Sequence, residues 1–220
     1  MTDDKKRIVA LISGNGSNLQ AFIDQCQDGR LPAEIACVIS NKPNAYGLER
    51  AQQAGIENRV IEHNRYPDRQ AFDQALAETI ASYQPDLVIL AGFMRILTPA
   101  FVEQFYGRLL NIHPSLLPNY RGLNTHQRAI DAGDRHGGTT VHFVSSELDG
   151  GPCIIQAKVP IDTNDTAQSL AEKVQAYEHI IYPMAAQWFL EERLALHEDG
   201  ASLDQKKLPA GGYDYQASAP

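Results

Sequence analysis

In the stretch Leu109-Leu110-Asn111-Ile112-His113-Pro114-Ser115-Leu116-Leu117-Pro118, an apolar run leads into an amide and an imidazole two residues apart and is then stopped by proline. If the run is a strand, Asn111 and His113 leave the same face. A neutral hydrogen-bond donor and a titratable ring then share one small volume. The chain holds seven histidines, so His113 reads either as a hydrogen-bonded core residue or as an acid-base group. Asp149, in Glu147-Leu148-Asp149-Gly150-Gly151-Pro152, is by itself a turn aspartate, since Asp-Gly favours turns. Placed beside His113, however, its carboxylate would complete a donor, acid and carboxylate set. Ser115 lacks a Gly-x-Ser-x-Gly frame and no cysteine is next to a histidine, which disfavours covalent catalysis. His63, His126, His136 and His142 show no metal-ligand spacing, so metal-free acid-base chemistry is the expectation.

A second chemical feature lies near the start of the chain. Ile8-Val9-Ala10-Leu11-Ile12 runs into Ser13-Gly14-Asn15-Gly16-Ser17-Asn18, and Leu19, Phe22 and Ile23 then recur at helical spacing. This strand, glycine turn and helix can point backbone N–H groups at an anion, with Ser17 and Asn18 adding side-chain donors. A purely structural turn and a site for one phosphate monoester both fit. Nicotinamide binding does not: the third glycine of the dinucleotide fingerprint is missing, and Ser40-Asn41-Lys42 after the second strand offers no acid for a ribose. A third feature, Gly92-Phe93-Met94-Arg95-Ile96-Leu97, keeps four apolar side chains around one arginine. It reads as a core-capping loop or as a slot for a flat heteroaromatic ring.

The elements that must position these residues alternate between strand and helix. Ile35–Ile39, Val60-Ile61 and Leu87–Ala91 read as strands, with helices near Leu48–Ala54 and from about Asp68, where Phe72, Leu76, Ile80 and Tyr83 share a face. Leu87–Ala91 is apolar enough to be covered on both sides, as in a parallel sheet. Pro99–Tyr106 reads as a short helix stopped by Gly107. Asn119–Gly138 is long and polar, of the kind that can close over a site, with a short helix around Gln127–Ala132. Thr139–Val144 and Cys153–Val159 flank the Asp149 turn as a hairpin expected on the sheet edge. Leu170, Val174, Tyr177 and Ile181 make Thr166–Ile181 amphipathic, with Glu178 bordering the apolar face. Pro183 is expected to kink or restart this helix, which then continues to Leu196. From His197 the composition turns polar, and loose last residues are expected. The fold class is therefore α/β, a Rossmann-like, mostly parallel sheet flanked by helices with an antiparallel hairpin toward the C-terminal half.

Composition narrows the partners. The 220 residues are 43% hydrophobic, enough for a substantial core, and 19 basic against 27 acidic residues give a formal charge of −8. That balance disfavours nucleic acid and anionic membranes as partners. Cys26, Cys37 and Cys153 are odd in number and scattered, as in reduced, cytoplasmic proteins. No apolar run is long enough to span a bilayer, and Met1–Arg7 does not read as a signal peptide.

Four blocks in order resemble the phosphoribosylglycinamide formyltransferase family: Ser13–Leu19, Ala91–Leu97, Asn111–Pro118 and Leu148–Pro152. The likeness runs from Ile8 to about Leu196. It implies one domain over 1–200, with a phosphate-binding half (1–105) and a folate and catalytic half (106–200), followed by a partly loose extension, 201–220. It implies phosphoribosylglycinamide bound by Gly16, Ser17, Asn18 and Glu178. It places 10-formyltetrahydrofolate, the cosubstrate, on Arg69, Met94, Arg95, Ile96, Leu97, Asn111 and Val144, with no metal and no nicotinamide. Asn111, His113 and Asp149 become the catalytic set of a cytoplasmic enzyme of small molecules, a monomer or homodimer. Asn124 stands where other family members can carry histidine. The alternatives are a formyltetrahydrofolate hydrolase, which needs no phosphate loop; an initiator-tRNA formyltransferase, which would carry a further domain and a basic surface; and a non-catalytic nucleotide-binding module.

Overall fold

A computed structural model describes residues 5–216. The chain divides into two compact units, 1–110 and 111–220. The first is built from β1 (Lys6–Ile12), α1 (Ser17–Gln27), β2 (Ala33–Ser40), α2 (Tyr46–Gln53), β3 (Asn58–Val60), α3 (Arg69–Ser82), β4 (Leu87–Leu90) and α4 (Pro99–Gln104). A 3-10 turn covers His63–Arg65. Its strands run in the order β4, β1, β2, β3, all parallel. Ile8 to Ile12 of β1 and Leu87 to Ile89 of β4 have no exposed surface, as expected for strands covered on both faces. Leu19, Phe22 and Ile23 of α1 and Phe72, Leu76, Ala77 and Ile80 of α3 are the buried faces of those helices. Asp68 caps α3 by accepting from Ala71 N at 2.8 Å, and Thr98 caps α4 ahead of Pro99.

Glycine is required where α1 and α2 begin. Gly16 has φ +75°, and a Cβ there would sit 2.7 Å from Gly47 Cα; one on Gly47 would sit 2.5 Å from Ile12 Cδ1. With no side chains in the way, Gly47 N donates to Gly14 O at 3.0 Å. The glycine turn is thus fixed by backbone contact.

The boundary between the units falls within β5 (Leu109–His113). The second unit continues with α5 (Thr125–Asp131), β6 (His136–Phe143), β7 (Cys153–Pro160), α6 (Ala167–Leu190), β8 (Leu194–His197), β9 (Gly200–Leu203), β10 (Lys206–Lys207) and β11 (Tyr213–Tyr215). β6 and β7 form the expected antiparallel hairpin, but β7 is not an edge: β11 pairs with it in parallel, Tyr213 opposite Ile155. The hairpin register shifts between Val141 and His142, so Ile154 is an extra residue on β7. Such bulges re-aim neighbouring side chains. A Cβ on Gly212 (φ +79°) would lie 2.6 Å from the Ile154 carbonyl carbon, so β11 can close on the bulge only with glycine there.

Thr166 caps α6 in a reciprocal box with Ser169. Contrary to the expected kink or restart, α6 runs unbroken through Pro183, which is itself buried with Ile181, Tyr182, Ala185 and Ala186. Packing on β6 and β7 offsets the lost hydrogen bond. The helix also stops at Leu190 rather than Leu196: Glu192 turns left-handed (φ +60°), and Leu194–His197 becomes the first strand of a small antiparallel sheet, β10-β9-β8. Residues 217–220, the end of the expected loose extension, and Met1–Asp4 of the segment weighed as a leader lie outside the described residues. Among the described residues no helix is long and apolar enough to cross a membrane.

Candidate active site

Within the second unit, β5 delivers Asn111, half-buried, and His113, 5% exposed. The turn after β6 brings the third candidate to them. Asp149 adopts φ +48° in the turn closed by Gly150 N donating to Glu147 O, and its Oδ2 lies 3.4 Å from His113 Nδ1. Both side chains are buried, 7% and 9% exposed. Aspartate is among the few residues that tolerate a left-handed backbone, and such strain concentrates at functional sites.

The other ring nitrogen fixes the tautomer. His113 Nε2 lies 2.9 Å from the Tyr120 carbonyl oxygen, which only accepts, so Nε2 carries a proton. Proton gain and loss are left to Nδ1, the nitrogen facing Asp149. Gly122 N donates to Asp149 Oδ2 at 3.0 Å and fixes the side chain in place. The segment that supplies both backbone groups is held by the Arg121–Glu147 ion pair.

His142, considered above only as a metal ligand, governs Asn111. Its Nδ1 donates to Phe143 O at 2.8 Å, so in the neutral ring Nε2 is an acceptor, and it takes the Asn111 Nδ2 proton at 3.1 Å. Burial pushes the ring's pKa down to about 4, against smaller upward pulls from the Phe143 carbonyl and Asp149. His142 is therefore neutral across the physiological range and orients the Asn111 amide, leaving its second N–H and its oxygen for a ligand. No sequence signal marks this pair, because it depends on β6 lying beside β5. Glu178 is buried, 8% exposed, on α6; Val144 is half-buried just past β6. The structure thus brings Asn111, His142, His113 and Asp149 together as one linked group: an amide donor, a neutral acceptor, an acid and a carboxylate.

The first unit holds the remaining candidates. Gly16, Ser17 and Asn18 form the N-terminal end of α1, whose first intrahelical bond is Gln20 N to Gly16 O. Arg50, also not anticipated, clamps this turn by donating to Asn15 O and Oδ1 at 2.9 and 3.0 Å and to Gln20 Oε1 at 3.1 Å. Gly92–Leu97 divides between its two readings: Phe93 and Leu97 enter the core, while Met94 and Ile96 are 60% and 54% exposed. Arg95 lies over the Phe72 ring at 5.9 Å, and its buried Nε has no hydrogen-bond partner. Arg69 is exposed at the start of α3, in an open cleft it shares with Thr98 and Pro99. Ser13 joins the two loops: its hydroxyl accepts from Met94 N at 2.8 Å and donates to Asn41 Oδ1 at 2.5 Å. No group of three or more His, Cys, Asp or Glu placed to hold a metal occurs among the described residues.

Known proteins share this arrangement over nearly its whole length. The formyl transferase family model matches residues 6–186. The phosphoribosylglycinamide formyltransferase of Escherichia coli (strain K12) is 53% identical over 206 residues, covering 94% of this chain and 97% of that protein. That of Haemophilus influenzae is 51% identical over 208 residues, 94% of this chain and 98% of that one. The solved phosphoribosylglycinamide formyltransferase from Coxiella burnetii superimposes with a TM-score of 0.93 at 50% identity, over 97% of this chain and 100% of that one. With one family spanning the glycine turn, β5 and the Asp149 turn in a single colinear match, the chain belongs to the formyl transferases.

Proposed function

We propose that the chain transfers the formyl group of 10-formyltetrahydrofolate to the amine of 5'-phosphoribosylglycinamide in purine biosynthesis, giving formylglycinamide ribonucleotide and tetrahydrofolate. The observation that carries this reading is the His113–Asp149 pair at 3.4 Å, beside an asparagine already oriented by His142. The two relatives at 51–53% identity and the Coxiella burnetii structure, each a phosphoribosylglycinamide formyltransferase, support the substrate assignment.

Attack of the amine on the formyl carbon forms one C–N bond and moves the carbonyl pair onto oxygen. Asn111 donates its second N–H to that oxygen, a contribution of about 2.7–4 kcal/mol for one such donor. Asp149 takes the proton shed by the attacking nitrogen through a water molecule. His113 gives the Nδ1 proton to the departing folate nitrogen as the old C–N bond breaks and the carbonyl reforms. Passage of the captured proton from Asp149 to His113 Nδ1 restores the starting state, so one proton has moved from the acceptor amine to the leaving amine. General acid-base help of this kind is worth roughly 10²- to 10⁴-fold.

In this reading Gly16, Ser17 and Asn18 hold the phosphate at the positive end of α1, and Glu178 meets the glycinamide. Met94, Arg95, Ile96, Leu97 and Val144 receive the pterin and formyl end, and Arg69 the remainder of the folate. A cytoplasmic setting fits three free thiols. The test is release of formyl from a 10-formyl folate analogue with and without phosphoribosylglycinamide. Acceptor-dependent release is expected; acceptor-independent release would make the protein a hydrolase, and no release a binding module.

A further inference from the structure

Tyr120 has a left-handed backbone, φ +55°, which is unfavourable for a bulky side chain. Three contacts hold it there. Its hydroxyl donates to Asp134 Oδ2 at 2.7 Å, the Arg128 guanidinium lies 5.2 Å over its ring, and Arg128 Nη1 donates to Arg121 O at 2.7 Å, just past the strained residue. Asp134 is itself tied to α5, its N donating to Ala129 O at 3.1 Å. What this anchoring achieves is the placement of one backbone atom: the Tyr120 carbonyl oxygen on His113 Nε2. A relaxed backbone at Tyr120 would turn that carbonyl elsewhere and free the imidazole to flip or to exchange its proton between the two nitrogens.

We propose that Tyr120 and Asp134 are positioning residues for the acid. By clamping the Tyr120 carbonyl on Nε2, they hold His113 in one tautomer and confine its proton exchange to Nδ1, beside Asp149. The inference rests on the reading of His113 as the proton donor. It explains why a tyrosine stands in a conformation that glycine or asparagine adopts more readily, and why its hydroxyl is engaged on a carboxylate 14 residues away. The role is like that of the group that orients the base in a catalytic triad, filled here by a main-chain oxygen.

The experiment combines ¹⁵N imidazole NMR with steady-state kinetics. In the wild-type protein the neutral His113 ring should show a protonated Nε2 and an unprotonated Nδ1. Tyr120→Phe keeps the ring under Arg128 but loses the Asp134 contact. It should give a mixture of tautomers and lower kcat roughly three- to thirty-fold, with KM for both substrates changed by less than about two-fold. Asp134→Asn, whose amide oxygen still accepts the phenol proton, should retain the single tautomer and most of kcat; Asp134→Ala should behave like Tyr120→Phe and serves if that variant does not fold. A neutral wild-type ring protonated at Nδ1, wild-type kcat with a single tautomer in Tyr120→Phe, or Asp134→Asn as damaging as Asp134→Ala would each overturn the proposal. If the wild-type protein transfers no formyl group, the functional reading fails, while the ring spectrum still decides the tautomer.

Discussion

Replacing His142 with glutamine should flatten the acid side of the protein's stability curve. The folded-state pKa of His142 is about 4, against about 6.5 for an unperturbed imidazole. Between those values the unfolded chain binds the proton and the folded one does not, so stability rises with pH through the window. The contribution is complete above about pH 6.5 and is lost as pH falls toward 4, the loss amounting to about 2–3 kcal/mol by pH 4.5. Burial dominates the shift; the Phe143 carbonyl and Asp149 oppose it, while His113 and Arg121 add to it. Glutamine can still accept the Asn111 amide but does not titrate. Urea unfolding of wild type and His142→Gln at pH 7 and pH 4.5 measures the difference. The variant should lose about 2–3 kcal/mol less than wild type over that interval. Equal losses, or a His142 ring that titrates near pH 6.5 by NMR, would refute the reasoning.

Three further perturbations test other parts of the molecule. Asp149→Asn removes a charge 3.4 Å from His113, an interaction of about 1 kcal/mol at the dielectric of water and about 5 kcal/mol at an effective value of 20. Turnover should fall roughly 10²- to 10³-fold with little change in binding of the phosphorylated substrate; near wild-type turnover across neutral pH would sink the assignment. Ser17→Ala with Asn18→Ala should raise KM for the phosphorylated substrate and leave the folate KM alone, and an unchanged value would move the phosphate elsewhere. Gly47→Ala puts a methyl 2.5 Å from Ile12 Cδ1 and should cost about 1–3 kcal/mol in urea melts, alongside weaker phosphate-substrate binding because Gly47 N holds Gly14 O.

Much of the fold was legible because its signals are local. The apolar runs became β1, β2 and β4, the four-three-four spacing became α6, and Asp68, Thr98 and Thr166 start helices where capping chemistry puts them. The end of α6 was hidden. Leu190 and Leu194 keep a helical spacing of four, and the left-handed residue that breaks the helix is Glu192 rather than the glycine or asparagine that usually signals such a stop. The strands beyond are two to four residues long, too short for alternation to show. At the site, side-chain chemistry could be read from β5 and the Asp149 turn, and the structure places His113 and Asp149 together. The Tyr120 carbonyl, the Gly122 amide and the bond from Asn111 to His142 could not be read. Two are backbone groups common to every residue type, and the third exists only once two strands lie side by side.

The pairing of β11 with β7 bears on how the protein behaves in a crowded solution. A bare β7 would offer a row of unsatisfied amides and carbonyls, a template for strand addition by another molecule. Gly211-Gly212 lets the chain return close enough for β11 to satisfy residues 155–157, and the outermost strand is then only three residues long. Lys158 and Asp214 pair across it at 3.1 Å, placing charge along the rim. The β11 strand thus acts as a guard against edge-to-edge association. Removing it should show first as a tendency to aggregate, before any loss in the chemistry at His113.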